Sequence, residues 1–133
     1  MTGAEKSQII SINRTDFVVK NFAALSSLEL KQIYQLRQQV FIVEQNCPYP
    51  DIDDEDLVAW HVFYPEKQAL CAYARVLNSD RGNWYIGRVV VAQDKRHQGL
   101  GQAVMKAALE FCHITMPRQT IIISAQSYLA QFY

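Results

Sequence analysis

Arg96-His97-Gln98-Gly99-Leu100-Gly101 stands between a Val-rich run, Trp84 to Ala92, and an apolar pattern of helical spacing that begins near Gly99. This stretch constrains the chain more than any other, because it fixes a strand-to-helix turn in which two glycines let a ligand come close to the backbone. The first-turn N–H groups of such a helix have no intrahelical partner and carry the positive end of the helix dipole, so the turn suits an anion such as phosphate. The spacing is neither G-x-G-x-x-G nor G-x-x-x-x-G-K-[ST], so the dinucleotide and nucleotide loops that those patterns mark are set aside.

A chain of 133 residues fits a single domain, 1–133, with room for a real core. The formal net charge is zero, so composition offers no electrostatic case for nucleic acid or an anionic membrane, and a small-molecule ligand stays open. No apolar run is long enough to cross a bilayer, and Met1 to Arg14 lacks the apolar stretch of a secretory signal. A cytoplasmic location is expected. Cys47, Cys71 and Cys112 are widely spaced and read as reduced thiols, and His61, His97 and His113 show no ligand spacing, so no metal is expected.

Read in order, the chain gives a first strand at Asp16 to Phe22, after a polar lead expected to be frayed. Ser26 and Glu29 form a capping-box pair that starts a helix at Ser27, with Leu30, Ile33, Leu36 or Arg37, Val40 and Phe41 on its buried face. The segment Asn46 to Asp56 reads as a loop. Asp51, Asp53 and Glu55 alternate as calcium ligands would, but Asp56 stands where that loop needs glycine and Val62 where it needs Glu, so a solvated acidic loop is expected. Leu57 to Tyr64 and Ala69 to Leu77 predict a hairpin, followed by a turn near Asp80 to Asn83 and the strand Trp84 to Ala92. A helix from Gly99 to about His113 and a buried strand Thr120 to Ala125 complete a right-handed βαβ crossover, and Ser127 to Tyr133 reads as the start of another helix.

The pattern R-x-x-G-x-G after a Val-rich strand resembles the pyrophosphate loop of the GNAT superfamily of acyl-CoA-dependent N-acyltransferases, and the order of elements from Asp16 onward is that of its α/β (α+β type) fold. Leu36 to Tyr49 with Asp51-Ile52-Asp53, Ile86 to Val91, and Ala125-Gln126 are similar to the ElaA-like subgroup of predicted acetyltransferases. The resemblance implies a mixed central sheet flanked by helices. It implies acetyl-CoA as co-substrate, with Val89, Val90 and Val91 as the strand edge for the pantetheine arm. His97, Gln98, Gly99, Leu100, Gly101 and Gln102 would form the pyrophosphate loop, and Arg96 would add charge to it. Gln126 stands where many members carry a cofactor-contacting asparagine, and Tyr133 where many carry the tyrosine that protonates the departing thiolate.

The implied reaction is direct attack by a primary amine of a small molecule or peptide on the thioester. A free backbone N–H in the Val89 to Val91 stretch would stabilise the developing negative charge if the strand splays from its neighbour. The charged residue in Ile86 to Val91 is Arg88, so the strand supplies no carboxylate base. Glu44, with Asp51, Asp53 and Asp54, is the candidate for attracting the ammonium and taking its proton through water; the alternative is that Glu44 pairs with Arg37 or Arg88 inside the fold. His61 is expected to be a strand histidine satisfied by a neighbour, and packing is the alternative for Tyr133. Two other functions stay open: an acyl-homoserine-lactone synthase, whose early R-x-x-V-F segment resembles Arg37 to Phe41, and a CoA-binding domain without turnover. The superfamily fold usually continues past the equivalent of Tyr133, so the C-terminal strands are expected to be missing, from a truncated product or with a homodimer partner covering the sheet edge.

Overall fold

Six strands lie in one sheet in the order in which they occur along the chain, and a helix packs on each face. The computed structural model describes residues 7–46, 48–67, 69–79 and 82–123. The strands are β1 (Ser7–Ile12), β2 (Thr15–Asn21), β3 (Trp60–Glu66), β4 (Ala69–Asn78), β5 (Trp84–Val91) and β6 (Ile121–Ile123), and the helices are α1 (Ser27–Arg37) and α2 (Leu100–Thr115). Neighbours are antiparallel from β1 to β5, and β5 pairs in parallel with β6 through the α2 crossover.

The expected frayed lead is instead β1, which pairs with β2 along its whole length. A two-residue turn joins them, with Asn13 and Arg14 at φ 50° and 67°, and two positive φ values give the twist that a tight hairpin needs. Ile10 then joins Phe17 and Val19 in the core, which accounts for the ordering of this segment.

Helix α1 begins where its capping box places it: the Ser26 hydroxyl accepts from the Glu29 N–H and the Glu29 carboxylate accepts from the Ser26 N–H. Past Arg37 the backbone widens into a π-helical segment, Gln38–Glu44. Ile33, Leu36, Val40 and Phe41 cover Phe63, Tyr73 and Val90 on one face of the sheet. On the other face, Val104, Ala107, Ala108 and Phe111 of α2 pack on Val62, Ala72, Ala74, Val76 and Ile86. The last strand, expected to be buried over Thr120 to Ala125, is described over Ile121–Ile123, where Ile122 and Ile123 are 38% and 41% exposed, a correction to the expected burial.

Candidate acyl-transfer site

The centre of β5 departs from regular pairing. Gly87 stands opposite Arg75 and Val90 opposite Tyr73, so Arg88 and Val89 together face the single Ala74, and Arg88 takes φ 51°. A bulge of two residues against one reverses which face each later side chain occupies. Trp84 and Ile86 point into the α2 core before it, and Val89 and Val91 do so after it. Without the extra residue, alternation would drive Arg88 into that core. A non-glycine residue in this backbone region costs on the order of 1 kcal/mol, so something must hold it there.

What holds it is the acidic loop. Arg88 places Nε 2.8 Å from Asp51 and donates from Nη2 to the Asp51 carbonyl at 3.2 Å and to the Asp53 carboxylate at 3.3 Å. Arg75, on β4 opposite Gly87, donates to the other oxygen of Asp53 at 2.8 Å and to Asp56 at 3.0 Å. Arg37, fully buried at the end of α1, donates to Asp51 at 3.0 Å and to Asp56 at 2.8 Å. The expected solvated loop is therefore corrected: Asp51 and Asp56 are buried, and three guanidiniums tie the loop to α1, β4 and the bulge. Burial raises the Asp56 pKa, but hydrogen bonds and charge from Arg37 and then Arg75 outweigh it and hold the carboxyl below its ordinary range.

His61 lies behind this loop. Its Nδ1 is 2.6 Å from the Tyr73 hydroxyl and its Nε2 is 3.0 Å from the Asp56 carbonyl, an acceptor, so the proton sits on Nε2 and Tyr73 donates to Nδ1. Burial lowers the His61 pKa to about 4, as a buried neutral imidazole should behave. It is the satisfied strand histidine that the sequence led us to expect.

On the α1 face beside the bulge, a cavity of about 330 Å³ opens between Glu55, Val58, Arg75, Leu77, Tyr85, Gly87 and Arg88. The five carboxylates of the loop, Asp51, Asp53, Asp54, Glu55 and Asp56, outnumber the guanidiniums of Arg37, Arg75 and Arg88 by two, and the charged side chains that line the cavity itself are Glu55, Arg75 and Arg88.

At the C-terminal end of β5 the chain turns into α2 through His97 at φ 66° and Gly99 at φ 79°. Gly99 is the N-cap, the first turn contains no acid, and Ala103 N–H is bonded back to the Gly99 carbonyl. The amides of Leu100, Gly101 and Gln102, ahead of that bond, form the electropositive helix start. A Cβ added at Gly99 would meet nothing within 4 Å, so the glycine answers the backbone angle and leaves open space above the turn.

Arg96 is tied to the end of β5 and to Glu44. It donates from Nε and Nη2 to the Val91 carbonyl at 3.3 and 3.2 Å, and its guanidinium is paired with both oxygens of Glu44. Glu44 thus pairs at the surface with Arg96, and not inside the fold with Arg37 or Arg88. The hydrogen bond from Arg96 is the main cause of the lowered Glu44 pKa, which makes this carboxylate a weaker base than a free one. Val89, Val90 and Val91 are buried, with Val90 toward α1 and the other two toward α2. Gln126 and Tyr133 lie outside the described residues. Among the described residues, no group of three or more His, Cys, Asp or Glu is placed to hold a metal ion, and no helix is long and apolar enough to cross a membrane.

Known proteins resemble this chain in sequence and fold. The acetyltransferase (GNAT) domain profile matches residues 25–133. Protein ElaA of Escherichia coli K12 is 42% identical over 115 residues, covering 81% of this chain and 75% of its own length. The crystal structure of Escherichia coli ElaA superposes with a TM-score of 0.82 at 39% identity, covering 88% of this chain and 82% of that one. An acyl-CoA N-acyltransferase from Pseudomonas aeruginosa follows at 0.81 and 38% identity, covering 89% and 84%. A predicted acetyltransferase from Clostridium acetobutylicum, solved with acetyl-CoA, shares the fold at a TM-score of 0.65 and 13% identity, covering 88% and 84%. With its sheet order, its strand-to-helix turn and its domain match in agreement, the chain belongs to the GNAT acetyltransferase family of acyl-CoA N-acyltransferases.

Proposed function

We propose that the protein moves an acetyl group from acetyl-CoA to a primary amine of a small molecule or peptide by direct attack. The observation that carries this reading is the start of α2: a left-handed Gly99 beside open space, no acid in the first turn, and first-turn amides of Leu100 to Gln102 that precede the first intrahelical bond. The diphosphate of CoA lies on the 97–102 turn, the pantetheine arm runs along Val89 to Val91, and the thioester carbonyl reaches the bulge, where a backbone N–H meets the developing oxyanion. The acceptor occupies the cavity beside Gly87, drawn there by the acidic loop, of which Glu55 lines the cavity. Tyr133 protonates the thiolate, a leaving group that needs little assistance because thiols ionise near ~8.5. Glu44 serves in this reading as the counter-ion that fixes Arg96 across the end of β5, and proton removal falls to water in the cavity next to Glu55. The Pseudomonas aeruginosa and Clostridium acetobutylicum proteins, one named for acyl-CoA transfer and the other bound to acetyl-CoA, support the choice of donor.

Calorimetric titration with acetyl-CoA tests it. The wild type should bind, and Gly99→Glu, which puts a charged side chain into the anion site, should lose at least tenfold in affinity while keeping its fold. Equal affinities would refute the proposed placement, and a wild type that binds acetyl-CoA but releases no free CoA across an amine panel would refute catalysis.

A further inference from the structure

The ion-pair lattice of the acidic loop enters the bulge itself through Arg88. We propose that Arg88 is a positioning residue, and that Asp51 and Asp53 act through it to fix the orientation of the Gly87 to Val90 backbone at which the thioester carbonyl is received. The inference rests on the acyl-transfer reading and adds to it a function for the loop.

Three observations converge. Arg88 adopts a left-handed backbone that glycine would enter without strain, so the side chain is retained where the backbone disfavours it. Its guanidinium lies between Asp51 and Asp53, two residues fixed elsewhere: Asp51 by Arg37 of α1, and Asp53 by Arg75 of β4. The Asp53 carboxylate also straddles the irregularity, with one oxygen on Arg75 opposite Gly87 and the other on Arg88 one residue further on. The two strands are therefore tied to one carboxylate, β4 at the last paired position before the register slips and β5 within the slip. A mobile bulge would present its amides over a range of angles, and stabilisation of an oxyanion falls steeply when the donor is misaligned. The lattice removes that freedom from a distance, without touching the substrate.

The test uses Arg88→Gly, which satisfies the backbone angle and deletes the clamp, Arg88→Lys, which keeps the charge but not the two-sided reach, and Asp53→Asn. Amide NMR of the free protein reads the geometry directly. In Arg88→Gly the Gly87 to Val91 resonances should shift and broaden while those of Leu100 to Gln102 stay in place, with Asp53→Asn weaker in the same sense. In acetyl-CoA turnover, kcat should fall at least tenfold in Arg88→Gly with the acetyl-CoA KM within about threefold, and Arg88→Lys should recover part of the loss. Unmoved bulge amides, or a kcat that is kept, would overturn the proposal; so would parallel changes in kcat, KM and melting temperature, the mark of a merely structural residue. Should Arg88→Gly fail to fold, Asp53→Asn decides on the same readouts. A wild type that never turns over acetyl-CoA defeats the acyl-transfer reading, and the amide spectra then still decide whether the clamp orders the bulge.

Discussion

Arg37 has no exposed surface and lies over two aromatic rings, with its guanidinium carbon 5.7 Å from the Tyr34 centroid and 5.5 Å from that of Tyr73. Its charge is tolerable there because Asp51 and Asp56 meet it. Removing it by Arg37→Ala leaves buried Asp51 with Arg88 alone and buried Asp56 with Arg75 alone, so unfolding free energy should fall by about 3 kcal/mol in urea titration. A loss below 1 kcal/mol would mean that water replaces the guanidinium. His61 gives a second prediction at this scale. Its pKa is lowered in the fold from 6.5 to about 4, so between these values the unfolded chain takes up a proton that the folded protein refuses. Its contribution is complete above about pH 6.5 and is lost as pH falls, by at most about 3 kcal/mol near pH 4. Melting curves should show the decline beginning near pH 6.5, well above carboxylate titration, and His61→Phe should flatten it. An unchanged profile in the variant would assign the decline to other groups.

Among the elements, α1 was legible because its start is a local matter: Ser26 and Glu29 are three residues apart, and their reciprocal bonds follow from that spacing. Ser26→Ala should cost about 1 kcal/mol by chemical denaturation, and no measurable loss would show that tertiary packing alone sets this boundary. The α2 turn was legible for the same reason, its glycines and the Val-rich run being contiguous. Gly99→Ala should lose about 1 kcal/mol through its φ of 79°, since the open space around it accepts the methyl group, and should weaken acetyl-CoA binding far less than Gly99→Glu. The bulge was not legible, because Val89-Val90-Val91 is apolar at every position and hides the switch of face between Ile86 and Val89. Nor was the lattice: its arginines stand 14 to 37 residues from their carboxylates, and sequence spacing carries no signal over that distance. The β1–β2 turn was missed because Asn13-Arg14 lacks the glycine that usually marks two successive positive φ values.

Across the whole molecule, charge is balanced to a net of zero while the acidic loop carries two more carboxylates than the three guanidiniums that bind it, with Glu55 of the loop at the cavity. Local and global fields therefore differ, and the local one should select acceptors. Amines that carry a second positive charge should show a lower KM than neutral analogues of the same size, and the advantage should shrink as salt rises past physiological strength, where screening shortens to about 8 Å. Equal acceptor KM values at low salt would remove the loop from recognition. The strand order has a different consequence. Each of β2 to β5 meets the strand synthesised just before it, β3 across α1 and the acidic loop and the others through short turns, so a nascent chain can pair them in order on the ribosome. Val62, Ala72, Ala74 and Val76, however, receive their cover only when α2 has been translated. Between those two moments the emerging polypeptide carries a bare greasy surface, and that interval is when a chaperone has the most to protect.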